Sequence, residues 1–184
     1  MIEVRQLALP GVYEIVPARS EDHRGFFSET YSAARLAEKG IDLAFVQDNH
    51  SLSKAAGVLR GLHYQLPPFA QDKLVRVVRG TILDVAVDIR RNSPTFGAWL
   101  GLEVSAEKWN QILVPKGFAH GFVTLVPDTE VLYKVSERYA PEHERSIRFD
   151  DPAIGIDWLI PASGVTLSDK DRNAPLLADA DVFE

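Results

Sequence analysis

His63, Lys73 and Tyr133 are polar side chains on segments that otherwise read as core strand. His63 and Lys73 stand in "RGLHYQLPPFAQDKLVRVVRG", residues 60–80, two strand-like runs joined by a proline-rich turn. An imidazole titrates near neutral pH and takes a proton from carbon once that proton is acidified. A neighbouring ammonium stabilises the oxyanion of the enolate that results. If the fold brings them together, His63 and Lys73 are the parts of a proton-abstraction site beside a carbonyl, and such a site needs an acid to return the proton. Tyr133 shares a strand face with Val131 and Val135, where a buried hydroxyl must find a polar partner. The same pattern also describes an ordinary core tyrosine. A lone histidine is equally at home as a packed core residue, and alternation puts His63 on one face with Leu59, Gly61 and Gln65. Arg60, Gln65 and Lys73 nearby shift that balance, because a core strand rarely collects so many polar groups without use. An imidazole base also needs a carboxylate on its other nitrogen; spacing alone selects none.

"PKGFAHGF", residues 115–122, sets Pro115 and Gly117 as a turn before a strand that carries His120. It resembles the second motif of the cupin superfamily, and the first cupin motif can be laid on Gly57, His63 and Gly80. On that alignment Gln65 stands in the place of a histidine ligand and Lys73 in the place of the ligand glutamate. Metal ligands are electron-pair donors, and a fixed cation repels a divalent ion. No metal and no cofactor are expected.

The elements that must hold these residues are mostly strands. Alternation is clearest in "TILDVAVDIR", with Leu83, Val85, Val87 and Ile89 on one face and Asp84, Asp88 and Arg90 on the other. "GVYEIVP" reads as the first strand and "YSAARLAEKG" as a helix capped by Ser32 and closed by Gly40. Many short strands, frequent turns and one or two short helices indicate a β-sandwich or jelly-roll barrel. The tail after Tyr139 reads as turns and short helical pieces packed on that barrel. The 184 residues suit a single domain.

Composition narrows the function. The chain has no cysteine, which excludes disulfides, thiolate metal sites and cysteine nucleophiles. A net charge of −6 argues against coating nucleic acid, yet two or three placed cations suffice for a phosphorylated ligand. No run is long and apolar enough to span a membrane, and the N-terminus lacks a signal-peptide pattern, so a cytoplasmic location is expected. "EDHRGFFSE", residues 21–29, and "VQDNHS", residues 46–51, combine an arginine with the amides Gln47 and Asn49 on one face. They suit a sugar or nucleotide phosphate, and equally a solvated edge and loop.

Taken in order, "DHRGFFSE", "RGLHYQ", "AQDKLVRVVRGTILDVAVDIRRNSPTFG", "PKGFAHGF", "YKVSERYAPEHERSIRFDDPAIGI" and "LSDKD" cover nearly the whole chain. The chain thereby resembles the dTDP-4-dehydrorhamnose 3,5-epimerase family. The resemblance implies a cupin-type jelly roll over residues 1–184, in a homodimer with exchanged N-terminal strands and an arm of about residues 1–30 at the interface. It implies epimerisation at C3 and C5 of a dTDP-linked 4-keto-6-deoxyhexose. By motif, His63 is the general base, Asp171 its orienting carboxylate, Tyr133 the general acid and Lys73 the enolate stabiliser. Arg60 and His120 hold diphosphate and sugar; Arg24 and Glu29 reach the nucleotide across the interface; Gln47, Asn49, Glu144 and Lys170 match further ligand contacts. Alternatives are an epimerase acting at C5 or C3 alone, a metal cupin, and a non-catalytic sugar-nucleotide-binding module.

Overall fold

The computed structural model describes residues 2–184. Its strands are β1 (Glu3–Gln6), β2 (Tyr13–Val16), β3 (Ser20–Asp22), β4 (Gly25–Phe27), β5 (Gln47–Ser53), β6 (Leu59–Gln65), β7 (Lys73–Arg79), β8 (Thr81–Asp88), β9 (Trp99–Ser105), β10 (Gln111–Val114), β11 (Phe118–Thr124), β12 (Thr129–Val135) and β13 (Glu144–Ser146). Two short helices join them, α1 (Ala33–Ala37) and α2 (Asp169–Arg172). One antiparallel sheet runs β1-β2-β10-β7-β12-β5 and the other β13-β6-β11-β8-β9. The chain is a cupin-like jelly roll, as the strand pattern predicts. β1 precedes the strand expected to be first; "EVRQ" is mostly polar and exposed at a sheet edge, so it carries no alternation signal.

The two faces of β8 show how the layers are built. Leu83, Val85, Val87 and Ile89 point away from the other sheet and are covered by Phe149, Ile154, Trp158 and Leu177 of the C-terminal segment. Ile82 and Ala86 face the other sheet and pack with Val75, Ile112, Phe118 and Val131. Asp84 and Asp88 alternate with the second set and are fully buried. The polar face of β8 thus points into the barrel, and the apolar face needs the tail as a lid. Each such aliphatic or aromatic side chain contributes about 1.5–3 kcal/mol when covered.

Smaller devices fix the ends. Ser32 accepts a hydrogen bond from the Arg35 amide at 3.4 Å, and Gly40 follows the helix at φ +81°. Leu36 and Ile41 are thereby laid against Ile15, Leu74 and Leu113 on the outer face of the six-stranded sheet. β3 and β4 form a separate hairpin outside both large sheets. The hairpin is anchored by Phe26, edge-on to Trp109 at 4.8 Å, while Phe26 and Phe27 remain 56% and 77% exposed. The rest of the N-terminal arm pairs inside the chain's own sheet, β1 with β2 and β2 with β10.

Candidate active site

The site begins with an irregularity in β6. His120 of β11 pairs with His63, and Phe122 pairs with Arg60, so Gly61 and Leu62 together oppose the single residue Gly121. This is a β-bulge, and it resets the alternation of the strand. Leu59, Leu62 and Tyr64 face the outer apolar cluster, whereas Arg60 and His63, three apart, both line the inner cavity. The expected shared face of His63 with Leu59 is corrected accordingly; Gln65 stays on the side of His63. Gly61 permits the bulge: at φ +139° a Cβ there would lie 2.5 Å from the Gly121 Cα, which excludes any side chain.

Behind His63 lies Asp171, delivered from the far end of the chain. Thr166 forms a parallel bridge with Val58 at the start of β6, and Ser168 caps α2 by accepting from the Asp171 amide at 3.1 Å. The buried Asp171 Oδ1 then sits 2.5 Å from His63 Nε2, leaving the other ring nitrogen for the cavity. Burial by itself would raise the Asp171 carboxyl; bonds from His63 and the Gly61 amide outweigh it and hold the group below the usual carboxylate range.

Lys73 opens β7. Its neighbour Asp72 pins that start, accepting from the Lys116 amide at 3.0 Å and the Ser136 hydroxyl at 2.8 Å. The Lys73 ammonium reaches the His63 carbonyl at 3.2 Å. Burial pulls the Lys73 ammonium down to about 8, against the opposing charges of Asp84 and Glu144. Tyr133 of β12 has Asn49 and Val75 as cross-strand neighbours. Its hydroxyl is pushed up by burial, with Arg60 acting in the other direction. His120 completes the cavity floor, its Nε2 at 2.9 Å from both Asp84 oxygens.

One cavity of about 380 Å³ is lined by Arg60, His63, Lys73, His120, Tyr133, Lys170 and Asp171. A narrower groove of about 190 Å³ runs on past Gln47, Asn49, Tyr139 and Glu144, and it shares His63, Lys73 and Tyr133. In the groove Gln47 donates to Asn49 at 2.9 Å, and Glu144 accepts from the Tyr139 hydroxyl at 2.9 Å and from Lys170 at 2.5 Å. Ten of the twelve sequence-predicted site residues thus fall in one connected hollow. Arg24 and Glu29 do not: Arg24 pairs with Asp22 in the β3–β4 hairpin and Glu29 with Arg35.

Two residues gain a role that spacing could not supply. Gln65 is a clamp: its amide donates to the carbonyls of Phe69 and Arg138 at 2.6 and 3.1 Å and accepts from the Ala140 amide at 2.9 Å. Tyr139, which spacing did not single out, lines the groove with its ring half exposed, a face on which a planar group could stack. Its place beside polar strand ends was its only sequence signal.

The donor set does not fit a divalent metal. His63 and His120 are bonded to Asp171 and Asp84, the Gln65 amide is engaged with backbone, and Lys73 is a cation. Among the described residues, no group of three or more His, Cys, Asp or Glu side chains is arranged to hold a metal ion.

Imidazole, carboxylate, ammonium and phenol gathered inside a jelly roll are the groups with which a class of enzymes can lift and return protons at carbon. A model of the family described as dTDP-4-dehydrorhamnose 3,5-epimerase matches residues 6–179. The dTDP-4-dehydrorhamnose 3,5-epimerase of Pseudomonas aeruginosa is 50% identical over 183 residues, 99% of each chain. The dTDP-6-deoxy-D-glucose-3,5-epimerase of Legionella pneumophila, solved with dTDP-4-keto-L-rhamnose, superposes with a TM-score of 0.93 at 46% identity, covering 98% of this chain and 95% of that one. A 3'-monoepimerase of Streptomyces bikiniensis, solved with dTDP-quinovose, gives 0.85 at 37% identity over 94% of this chain and 86% of that one. The chain belongs to the dTDP-4-dehydrorhamnose 3,5-epimerase family, whose members are isomerases.

Proposed function

We propose that this chain converts dTDP-4-dehydro-6-deoxy-D-glucose to dTDP-4-dehydro-L-rhamnose by inverting C3 and C5. The observation that carries this reading is one cavity holding the His63–Asp171 pair, the Lys73 ammonium and the Tyr133 hydroxyl together. A C4 ketone acidifies the hydrogens on both flanking carbons, so one base and one acid serve both centres. His63 removes the proton, with Asp171 fixing its ring and stabilising the imidazolium. Lys73, buried at the cavity wall, carries the charge on the C4 oxygen, where burial strengthens that interaction. Tyr133, kept a phenol by burial, returns a proton to the other face. Arg60, His120, Lys170, Glu144, Gln47 and Asn49 hold the sugar diphosphate and nucleoside, and Tyr139 stacks on the base.

Arg24 and Glu29 complete the nucleotide end from a second copy of the chain. The exposed Phe26 and Phe27 on the hairpin that carries Arg24, just before Glu29, support that reading, since large apolar patches left open to water mark interaction sites. The assembly is a homodimer in which residues from this hairpin are exchanged.

The decisive experiment is deuterium wash-in from D2O at C3 and C5 of dTDP-4-keto-6-deoxyglucose. Exchange at both carbons is expected. Exchange at one carbon alone would assign the chain to the single-site class, which the more distant 3'-monoepimerase represents. Among the described residues, no helix is long and apolar enough to cross a membrane.

A further inference from the structure

Asp84 is fully buried behind His120, which lines the cavity, yet the epimerase function proposed for this site gives it no task. Among the described residues, His120 is the one side chain that hydrogen-bonds to it, with Nε2 at 2.9 Å from each oxygen. A carboxylate taken out of water needs a cation to answer it. The other charges that face the cavity are largely matched in pairs. Glu144 of β13 is bonded to Lys170 of α2 at 2.5 Å, and Asp171 to His63 at 2.5 Å. Arg60 leans out toward Ser53 at 3.4 Å, and Tyr133 is neutral. Asp84 is left with His120 as its bonded partner, and its charge also acts on the buried Lys73 ammonium. Burial draws the Lys73 ammonium down to about 8, and Asp84 is the strongest influence in the opposite direction.

We propose that Asp84 is a positioning residue for the proton transfers: it aims His120 into the cavity and is the buried counter-charge that keeps Lys73 an ammonium where the enolate oxygen forms. The inference rests on the epimerase reading. It makes Asp84–His120 a counterpart of Asp171–His63, one carboxylate serving the base and the other serving the oxyanion. Tyr133 does not blur the assignment, since burial moves its hydroxyl further from neutrality.

The test compares kcat/KM for wash-in at C3 and C5 in wild type and Asp84→Asn between pH 6 and pH 9.5. In wild type, exchange falls above about pH 8 as Lys73 loses its proton. In Asp84→Asn that fall begins at lower pH, and the wild-type to variant ratio grows about tenfold from pH 6.5 to pH 9, the effect of one pKa unit. A ratio independent of pH overturns the proposal. Where Asp84→Asn does not fold, Asp84→Glu keeps the charge: a fall at the wild-type pH supports the inference, and a displaced fall overturns it. Wild-type protein without exchange at either carbon removes the epimerase reading and the inference with it, whereas exchanging wild type with a pH-independent ratio removes the Asp84 role alone.

Discussion

His63 and His120 face one another directly across the β6–β11 pairing, and each turns its Nε2 to a different buried carboxylate, Asp171 and Asp84. The bulge at Gly61 brings them into register.

Asp171→Asn keeps the shape of the pair and removes its charge. The amide can also present its NH2 to His63 and favour the wrong tautomer. Wash-in at both carbons is expected to fall about a hundredfold or more, the usual worth of a positioned general base. The loss should appear in kcat with KM nearly unchanged. A matching loss in KM would reassign Asp171 to substrate binding.

Tyr133→Phe separates the two halves of the reaction. Proton removal by His63 does not need the phenol, so deuterium still enters the sugar. Product formation is expected to drop about a hundredfold and wash-in less than tenfold. NMR of the recovered sugar nucleotide reads both, and equal losses would count against Tyr133 as the acid.

Gln65→Leu tests the clamp. It strips partners from the Phe69 and Arg138 carbonyls and the Ala140 amide. Stability by urea unfolding is expected to fall by about 3 kcal/mol, the scale of buried backbone groups left unsatisfied. The groove that carries Tyr139 should loosen too, weakening dTDP binding in calorimetry while wash-in at saturation changes little.

Asp88 supplies a pH signature of stability. Burial by itself would raise its carboxyl, but bonds from Arg90, Ser93 and Thr95 prevail and bring it to about 2. A carboxylate depressed in the folded state stabilises fully above its unfolded value and loses that contribution as pH falls through the folded one. The depression from 3.8 to about 2 corresponds to about 2 kcal/mol. Asp88→Asn should therefore cost about that much at pH 7 and progressively less between pH 4 and pH 2. A pH-independent difference in urea unfolding would sink this account.

Sequence alone reaches the barrel and much of its hollow, and its failures have physical causes. The strands of the jelly roll are legible because alternation and turn residues are local properties of the chain. His63, Lys73 and Tyr133 stand out because each is polar on a strand that buries its neighbours. Asp171 could be reached only by resemblance, because 108 residues separate it from the imidazole it bonds. Gln65 stayed open since its partners are backbone groups, which leave no trace in residue type. Asp84 was visible on the polar face of β8, but which side of β8 faced the cavity depended on the tail covering the other. The bulge at Gly61 defeated simple alternation because a two-residue period has no place for an extra residue.

The C-terminal segment that covers the outer face of β8 also carries Asp171 to the back of His63. The same segment supplies Thr166, Leu167, Ser168 and Lys170 to the pocket wall. Core and candidate site therefore share one strap of chain, so loosening that strap should cost stability and ring orientation together.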